Sequence, residues 1–259
     1  MSTEILLGRQ SYTINLFVFF ATLFTYNFQR LVRMDVQGEL SFRQQWLQDN
    51  RGLLWGITGM SAIVTALLAL SISSKSLFLL LPLGMVAMMY PLPVFFWNRK
   101  WWRLREIPGV KIFLIALVWS VVTVGLLVAE HNVSLTTDVW MLFLHRLCFI
   151  FAITIPFDIR DLKYDSLKLK TIPVLLGETK ARYIALGSVA LYELLVVGQF
   201  FLGEMMSIRT LIALLCVSAT TALLLLKSTS ERGEYYFSVW VEGASVLMYI
   251  FLAIAFYCF

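Results

Sequence analysis

The sequence predicts an all-α integral membrane protein, a bundle of about eight transmembrane helices that forms one membrane domain over residues 1–259. Two observations carry this prediction. Of the 259 residues, 59% are hydrophobic and only 14% are charged, which leaves too little polar surface to cover a soluble globule of this length. The apolar residues also fall in stretches of about 20, the length that a helix needs to cross the hydrocarbon core of a bilayer.

The predicted spans reach or approach this length, and loop residues mark their ends. We place them near residues 11–33, 53–73, 76–97, 109–129, 136–157, 181–203, 207–227 and 237–258. Asp49-Asn50-Arg51-Gly52, Pro108-Gly109 and Gly177 are examples of the helix-stopping residues between them. A shorter segment, residues 41–48, has the spacing of an amphipathic helix that lies on the membrane surface.

The loops on one side of the predicted bundle hold most of the 21 Lys and Arg residues. Cytoplasmic loops carry the excess of these residues in membrane proteins. We therefore expect the loops at 34–52, 98–108, 158–180 and 228–236 to face the cytoplasm and both termini to lie outside, in the plasma membrane if the protein is bacterial. The same bias accounts for the net charge of +5, so this charge does not indicate a nucleic-acid partner.

Several common functional motifs are missing from the sequence. It contains no P-loop, no H-E-x-x-H motif and no pattern typical of a Ser-His-Asp triad. Its three cysteines, Cys148, Cys216 and Cys258, are widely spaced within apolar segments. This pattern favours burial over a disulfide framework or a zinc site.

The end of the fifth predicted span carries three carboxylates, Asp158, Asp161 and Asp165. On a helix with 3.6 residues per turn they fall within about 60° of arc and share one face. Like charges three or four residues apart repel each other, and we expect Arg160 and Lys163 to project to the opposite side of the helix. A solvated helix end is one interpretation. Magnesium with a substrate diphosphate is the other, because this ion takes one or two carboxylates together with waters and phosphate oxygens.

The residues around this run resemble the second aspartate-rich motif of the UbiA superfamily of intramembrane prenyltransferases. The matching residues are Phe157-Asp158-Ile159-Arg160-Asp161-Leu162-Lys163-Tyr164-Asp165, followed by Thr171-Ile172-Pro173-Val174-Leu175-Leu176-Gly177. Tyr90-Pro91-Leu92-Pro93 and Arg105-Glu106-Ile107-Pro108-Gly109-Val110-Lys111 are similar to the family's central cytoplasmic loop. The resemblance implies helices around a lateral, lipid-accessible cavity, in which two aspartate-rich motifs hold Mg2+ and the diphosphate of an isoprenyl donor.

The activity implied by this resemblance is transfer of a polyprenyl group from an isoprenyl diphosphate to an aromatic or other cyclic acceptor in the membrane, as in quinone biosynthesis. The reaction would begin with ionisation of the allylic diphosphate, and magnesium would stabilise the leaving group. The implied metal ligands and catalytic residues are Asp158, Asp161 and Asp165. The implied substrate contacts are Lys111 and Lys168 for the diphosphate and Tyr90 and Tyr164 for an aromatic wall. Packing or interfacial anchoring explains both tyrosines equally well.

The family's first aspartate-rich motif is degenerate in this chain. Its place is taken by Tyr26-Asn27-Phe28-Gln29-Arg30-Leu31-Val32-Arg33-Met34-Asp35. Asn27 and Asp35 match the motif, whereas Phe28 and Leu31 stand where the family has carboxylates. We therefore expect an apolar side chain, Leu31, on the helical face that Asn27 and Asp35 share. Next to this face, Arg30 could bind diphosphate bidentately or lie at the interface as a positive-inside residue.

Two classes of function stay open at this point. The first is the magnesium-dependent prenyltransferase, and the second is a degenerate relative that binds a prenyl lipid or a membrane partner without turnover. A transporter is a third interpretation, but the sequence lacks the paired broken helices that are typical of inverted repeats.

Some of the polar residues inside the predicted spans are ionisable, and intramembrane charges usually have a partner. Among these residues are His145, Arg146, Glu193 and Glu242. We expect His145 to be a hydrogen-bonded structural residue, and either glutamate to be a buried acid that could pair with Arg146.

Overall fold

The computed structural model describes residues 1–32, 42–97, 100–104, 107, 109–162 and 171–258. The helices of this part of the chain are α1 Ser2–Leu7, α2 Tyr12–Leu31, α3 Phe42–Asp49, α4 Arg51–Ala69, α5 Ser74–Met89, α6 Val110–Glu130, α7 Thr137–Asp161, α8 Ile172–Leu176, α9 Glu178–Leu202, α10 Ile208–Leu226 and α11 Tyr236–Tyr257. Two short antiparallel strands, β1 Pro93–Trp97 and β2 Lys100–Arg103, form a hairpin after α5. The predicted all-α class is confirmed, with this hairpin as a small addition.

Six helices of the described residues are long and apolar enough to cross a membrane, namely α4, α6, α7, α9, α10 and α11. Their outward faces expose large apolar side chains; on α9, for example, Leu194 is 70% exposed and Phe201 is 75% exposed. Long helices with apolar outer faces are stable in lipid, where the surrounding acyl chains cover those faces. The chain is therefore an integral membrane protein.

The other two predicted spans correspond to α2 and α5. The 20-residue α2 is less apolar than the six spans, and α5 has only 16 residues. The count of eight spans stays a prediction. The predicted end of the third span at residue 97 is wrong, because the helix ends at Met89 and residues 93–97 are a strand. Pro91 and Pro93 explain this difference, since proline lacks the N–H that a continuing helix needs and also restricts the residue before it.

The chain divides into two compact units, and the prediction of one membrane domain stays a prediction. Unit 1 contains Met1–Gln10 and Glu106–Phe259. Its core is formed by residues of α7, α9, α10 and α11, including Phe149, Tyr192 and Met248. The short helix α1 also belongs to this unit, and the Gln10 side chain next to it donates a hydrogen bond to the Tyr257 hydroxyl at 2.9 Å. The sequence did not predict α1, because six residues are too few to show a hydrophobic period.

Unit 2 contains Ser11–Arg105, in which α2 packs against α4 and α5. The amide of Gln29 on α2 donates to the backbone carbonyl of Ala87 on α5 at 3.0 Å. Beside this contact is an open groove of about 590 Å³, lined by apolar residues such as Phe17, Leu81 and Met85. A helix is present where the sequence predicts one at residues 41–48, namely α3, and its location on the membrane surface stays a prediction.

The three cysteines are unpaired, as the sequence predicts. Cys148 is half-buried, but Cys216 and Cys258 lie on the protein surface. The expected burial is therefore wrong for these two residues.

Candidate functional site

Asp158 and Asp161 lie on the last turns of α7. The helix contains Pro156, continues past the predicted end at residue 157 and stops at Asp161. The two carboxylates are three residues apart and therefore lie on adjacent turns of the same side, as predicted from the helical period. The side chain of Asp158 is only 1% exposed, whereas that of Asp161 is 31% exposed. One carboxylate is thus held inside the protein, and the other reaches its surface.

Lys111 is the cation that faces the buried carboxylate. It lies in the first turn of α6, which begins after Gly109, a residue with a φ of +72° that glycine adopts without strain. The ammonium group of Lys111 donates a hydrogen bond to Oδ1 of Asp158. Ile112 of α6 and Ile155 of α7 belong to one buried apolar cluster, so packing between these helices holds the two charged groups together.

Arg160 is the second cation at this end of α7. Its Nε lies 2.7 Å from Oδ1 of Asp161, and its guanidinium group lies over the ring of Phe157, 5.3 Å from the centroid. The expectation that Arg160 points away from the carboxylates is therefore wrong. Its Cα–Cβ bond does project to another side of the helix, but its long flexible side chain reaches back to the neighbouring residue. Together Lys111 and Arg160 offset the repulsion between the two carboxylates.

The residues of the degenerate first motif lie in unit 2. Asn27 is 6% exposed, and its Nδ2 donates to the carbonyl of Leu23 at 2.9 Å. Leu31, one turn later, is 3% exposed. Arg30 lies over the ring of Tyr26, 5.8 Å from the centroid. Asn27 and Leu31 thus face the interior together, as their spacing predicts, and an apolar side chain does occupy this motif face.

Tyr90 follows the last turn of α5, where its backbone N–H donates to the carbonyl of Val86 at 2.9 Å, and its side chain is half-buried. The remaining predicted site residues lie outside the described residues. They are Asp35, Tyr164, Asp165 and Lys168.

The described part of the chain contains no group of three or more His, Cys, Asp or Glu side chains that could hold a metal ion. It does contain the pair Asp158 and Asp161, one turn apart on α7. Two carboxylates fit the coordination habit of magnesium, which completes its octahedron with waters and phosphate oxygens. The donor set is therefore compatible with magnesium bound together with a diphosphate, and less suited to a metal held by protein ligands alone.

The structure also brings the first turns of α11 to this end of α7. The rings of Phe157 and Phe237 lie 6.4 Å apart at 52°, and Phe237 lies in a π-helical turn, Tyr236–Val241. Such turns occur often near functional sites. Glu242 follows this turn, is exposed, and lies within electrostatic reach of Arg160. The expectation of a buried acid at position 242 is wrong.

The sequence alone did not identify Phe237 or Glu242 as neighbours of the aspartates. Both are far from α7 along the chain, and neither belongs to a motif with a recognisable spacing. The aromatic residue directly before the aspartate run, Phe157, was the one local signal of this contact.

Comparison with known proteins identifies the fold. No family model matches the sequence, and no curated protein is similar to it in sequence. Solved structures do match. A UbiA homolog from Archaeoglobus fulgidus bound to GPP and Mg2+ has a TM-score of 0.65 and 15% sequence identity, over 98% of this chain and 93% of that chain.

Two further structures give the same result. A UbiA homolog from Aeropyrum pernix K1, solved in the apo state, has a TM-score of 0.63 and 15% identity over 98% of this chain and 90% of its own. A digeranylgeranylglyceryl phosphate synthase has a TM-score of 0.60 and 17% identity over 98% of this chain and 88% of its own. The chain has the fold of these UbiA homologues, and the resemblance seen in the sequence is confirmed at the level of the fold.

Proposed function

We propose that this chain is a magnesium-dependent prenyltransferase, which transfers a polyprenyl group from an isoprenyl diphosphate to an aromatic or other cyclic acceptor within the membrane. The observation that carries the proposal is the end of α7, where Asp158 and Asp161 lie on one side with Lys111 and Arg160 beside them. The fold supports it, since similar structures have been solved with GPP or DMAPP and Mg2+.

In this proposal Asp158 and Asp161 are metal ligands, directly or through water, and Asp165 is the third. When bound, magnesium neutralises negative charge on the diphosphate as that group leaves. A metal ion at Asp158 would share this carboxylate with Lys111, which donates to its Oδ1 atom. The ammonium group of Lys111 would be available to donate hydrogen bonds to the phosphate oxygens of a diphosphate bound there.

Arg160 has a comparable position next to Asp161. Its guanidinium group lies over the ring of Phe157, and a guanidinium group can pair bidentately with phosphate or carboxylate. The same aromatic ring offers a negative face to a nearby cation. Phe157 is thus suited to shield an allylic carbocation, a role that the resemblance assigns to aromatic wall residues such as Tyr90 and Tyr164.

The proposal extends to the remaining substrate contacts and to the orientation in the membrane. The resemblance implies Asn27, Arg30, Asp35 and Lys168 as further contacts to the diphosphate, and we keep them in the proposal on that ground. In this proposal the end of α7 faces the cytoplasm and both termini face the outside. This is the orientation that the excess of Lys and Arg in the predicted cytoplasmic loops favours.

The experiment that tests this proposal is a screen of purified full-length protein with isoprenyl diphosphates from geranyl to long-chain polyprenyl and a panel of aromatic and cyclic acceptors. Release of diphosphate and formation of prenylated product are measured with magnesium and with EDTA. We expect magnesium-dependent product from the wild type and none from Asp161→Asn. Glu231→Gln, which removes an exposed carboxylate from a loop, is the matched control and should keep full activity.

A second function, binding of a prenyl lipid without turnover, is favoured by one observation in unit 2. Leu31 is buried at a position where the resemblance expects a carboxylate, and the apolar groove of about 590 Å³ in the same unit offers a surface for a hydrocarbon chain. The screen separates the two functions. Saturable binding of a prenyl diphosphate without product, in both the wild type and Asp161→Asn, would support binding alone.

A further inference from the structure

Arg146 is a buried arginine in the middle of α7, far from the carboxylate end of that helix. Arg146 is only 5% exposed. One guanidinium nitrogen, Nη2, donates to the hydroxyl of Thr3 at 3.2 Å, and the other, Nη1, donates to the sulfur of Met248 at 2.8 Å. Both partners are uncharged, and Nε has no hydrogen-bond partner within the described chain.

No carboxylate of the described residues forms an ion pair with Arg146. Asp138, on the same helix, accepts from Gln199 at 3.2 Å and from the backbone N–H of Glu204 at 3.1 Å. It lies about 12 Å from Arg146 along α7. Asp138 therefore does not balance the positive charge of Arg146.

The two glutamates that could approach Arg146 are engaged elsewhere. Glu4, next to Thr3, is buried and pairs with the amino group of Met1 at 3.1 Å. Glu193 accepts from the hydroxyl of Ser218 at 2.6 Å. Within the described residues neither Glu193 nor Glu242 forms an ion pair with Arg146, so the expectation that one of them partners it is wrong. A buried charge with no counter-charge is costly in protein and in lipid.

Two more buried polar side chains lie beside Arg146. His145 and Tyr192 are fully buried, and their rings meet edge to face with centroids 5.5 Å apart at 88°. The two imidazole nitrogens of His145 and the Tyr192 hydroxyl have no partner within the described chain by strict hydrogen-bond geometry, and the side chain of Gln199 lies within hydrogen-bonding reach of His145. Tyr192 also lies within electrostatic reach of Arg146. Buried donors of this kind normally have a partner, such as an ordered water or ion.

We propose that unit 1 binds a small monovalent anion, chloride in the simplest case, beside Arg146, with the Tyr192 hydroxyl as a further donor. One anion supplies both the counter-charge that the guanidinium lacks and an acceptor for the Nε–H group. Thr3, Met248 and Tyr192 belong to α1, α11 and α9 respectively, so the ion stabilises the packing of these helices around α7. The site lies about 18 Å along α7 from Asp158 and does not depend on the proposed reaction.

The test is the halide dependence of stability in purified full-length protein. The melting temperature is followed by tryptophan fluorescence in sodium gluconate, while sodium chloride or bromide replaces gluconate at constant ionic strength. Gluconate is too large for a buried site. We expect a saturable rise in melting temperature for the wild type, because a ligand at ten times its Kd shifts the unfolding equilibrium about 11-fold. Arg146→Met should show no halide dependence, whereas Arg209→Met, which removes an exposed arginine, should retain it.

A second measurement keeps the proposal testable if Arg146→Met does not fold. Wild-type crystals soaked in bromide should give an anomalous peak beside Nε of Arg146. Absence of that peak, or equal halide dependence in wild type and Arg146→Met, would overturn the proposal. The proposal would also be overturned if the melting temperature depended on halide only in Glu4→Gln, because Glu4 would then be the native counter-charge.

Discussion

The ammonium group of Lys111 donates a hydrogen bond to Oδ1 of Asp158, and this contact joins the first turn of α6 to the end of α7. The Asp158 side chain is 1% exposed and that of Lys111 is 22% exposed. A buried carboxylate is stable only when it is paired. Lys111 therefore has a structural role before any substrate binds, in addition to the diphosphate contact that we propose.

The first prediction concerns this pair. Lys111→Met should destabilise the protein by roughly 3 kcal/mol, since it leaves the carboxylate of Asp158 buried without a counter-charge. Chemical denaturation of the purified protein measures the change. Lys180→Met, which removes an exposed lysine at the start of α9, is the control and should change stability little.

The double variant Lys111→Met with Asp158→Asn sharpens this test. It removes both charges, so stability should recover most of the loss, while magnesium-dependent product formation should stay absent. If the single variant Lys111→Met is as stable as the wild type, then the pair does not offset a buried charge.

The second prediction separates catalysis from stability at Asp161. This carboxylate is 31% exposed and pairs with the adjacent Arg160, and a partly exposed ion pair contributes about 1 kcal/mol or less. Asp161→Asn should therefore change the melting temperature little and lower prenyl transfer more than about 100-fold, beyond the usual loss for an indirect metal contact. A loss of activity that parallels a loss of folded protein would instead assign a structural role to Asp161.

The helical register of the aspartates was predictable because it is local. Asp158 and Asp161 are three residues apart, and any α-helix places such residues on adjacent turns. Their cationic partners were not predictable in the same way. Lys111 is 47 positions from Asp158 in sequence, so only the packing of α6 on α7 brings them together. The predicted direction of the Arg160 side chain was wrong because the direction of the Cα–Cβ bond does not determine where the end of a long side chain lies.

The fold shows the same division between local and tertiary information. Apolar length predicted the long helices α6, α7, α9, α10 and α11, and proline positions explain in hindsight why α5 ends before β1. Helix α1 was missed because six residues are too few to show a hydrophobic period, and only the folded chain shows that its Ile5 and Leu6 pack against the core of unit 1.

The third prediction tests whether Arg30 binds diphosphate or only anchors α2 at the interface. If the guanidinium group binds phosphate bidentately, Arg30→Lys should weaken donor binding about as much as Arg30→Gln, because an ammonium group cannot form the two parallel hydrogen bonds. The KM for the isoprenyl diphosphate measures this effect. A normal KM in Arg30→Lys together with a raised KM in Arg30→Gln would show that charge alone is needed. Unchanged values in both variants would leave Arg30 as an interfacial residue.

The fourth prediction concerns the close approach of Gly203 to Asp138, which joins the end of α9 to the start of α7. A Cβ at Gly203 would lie 2.1 Å from Oδ1 of Asp138 and 2.7 Å from the backbone carbonyl of Gln199. Gly203→Ala should therefore destabilise unit 1 by roughly 1–3 kcal/mol, the usual cost of forcing extra atoms into a packed site. Gly187→Ala is the matched control, since a Cβ there has nothing within 4 Å and alanine favours the helix by up to about 1 kcal/mol. Thermal melts of the two variants should move in opposite directions, and a Gly203→Ala protein as stable as Gly187→Ala would show that this site relaxes to accept a Cβ.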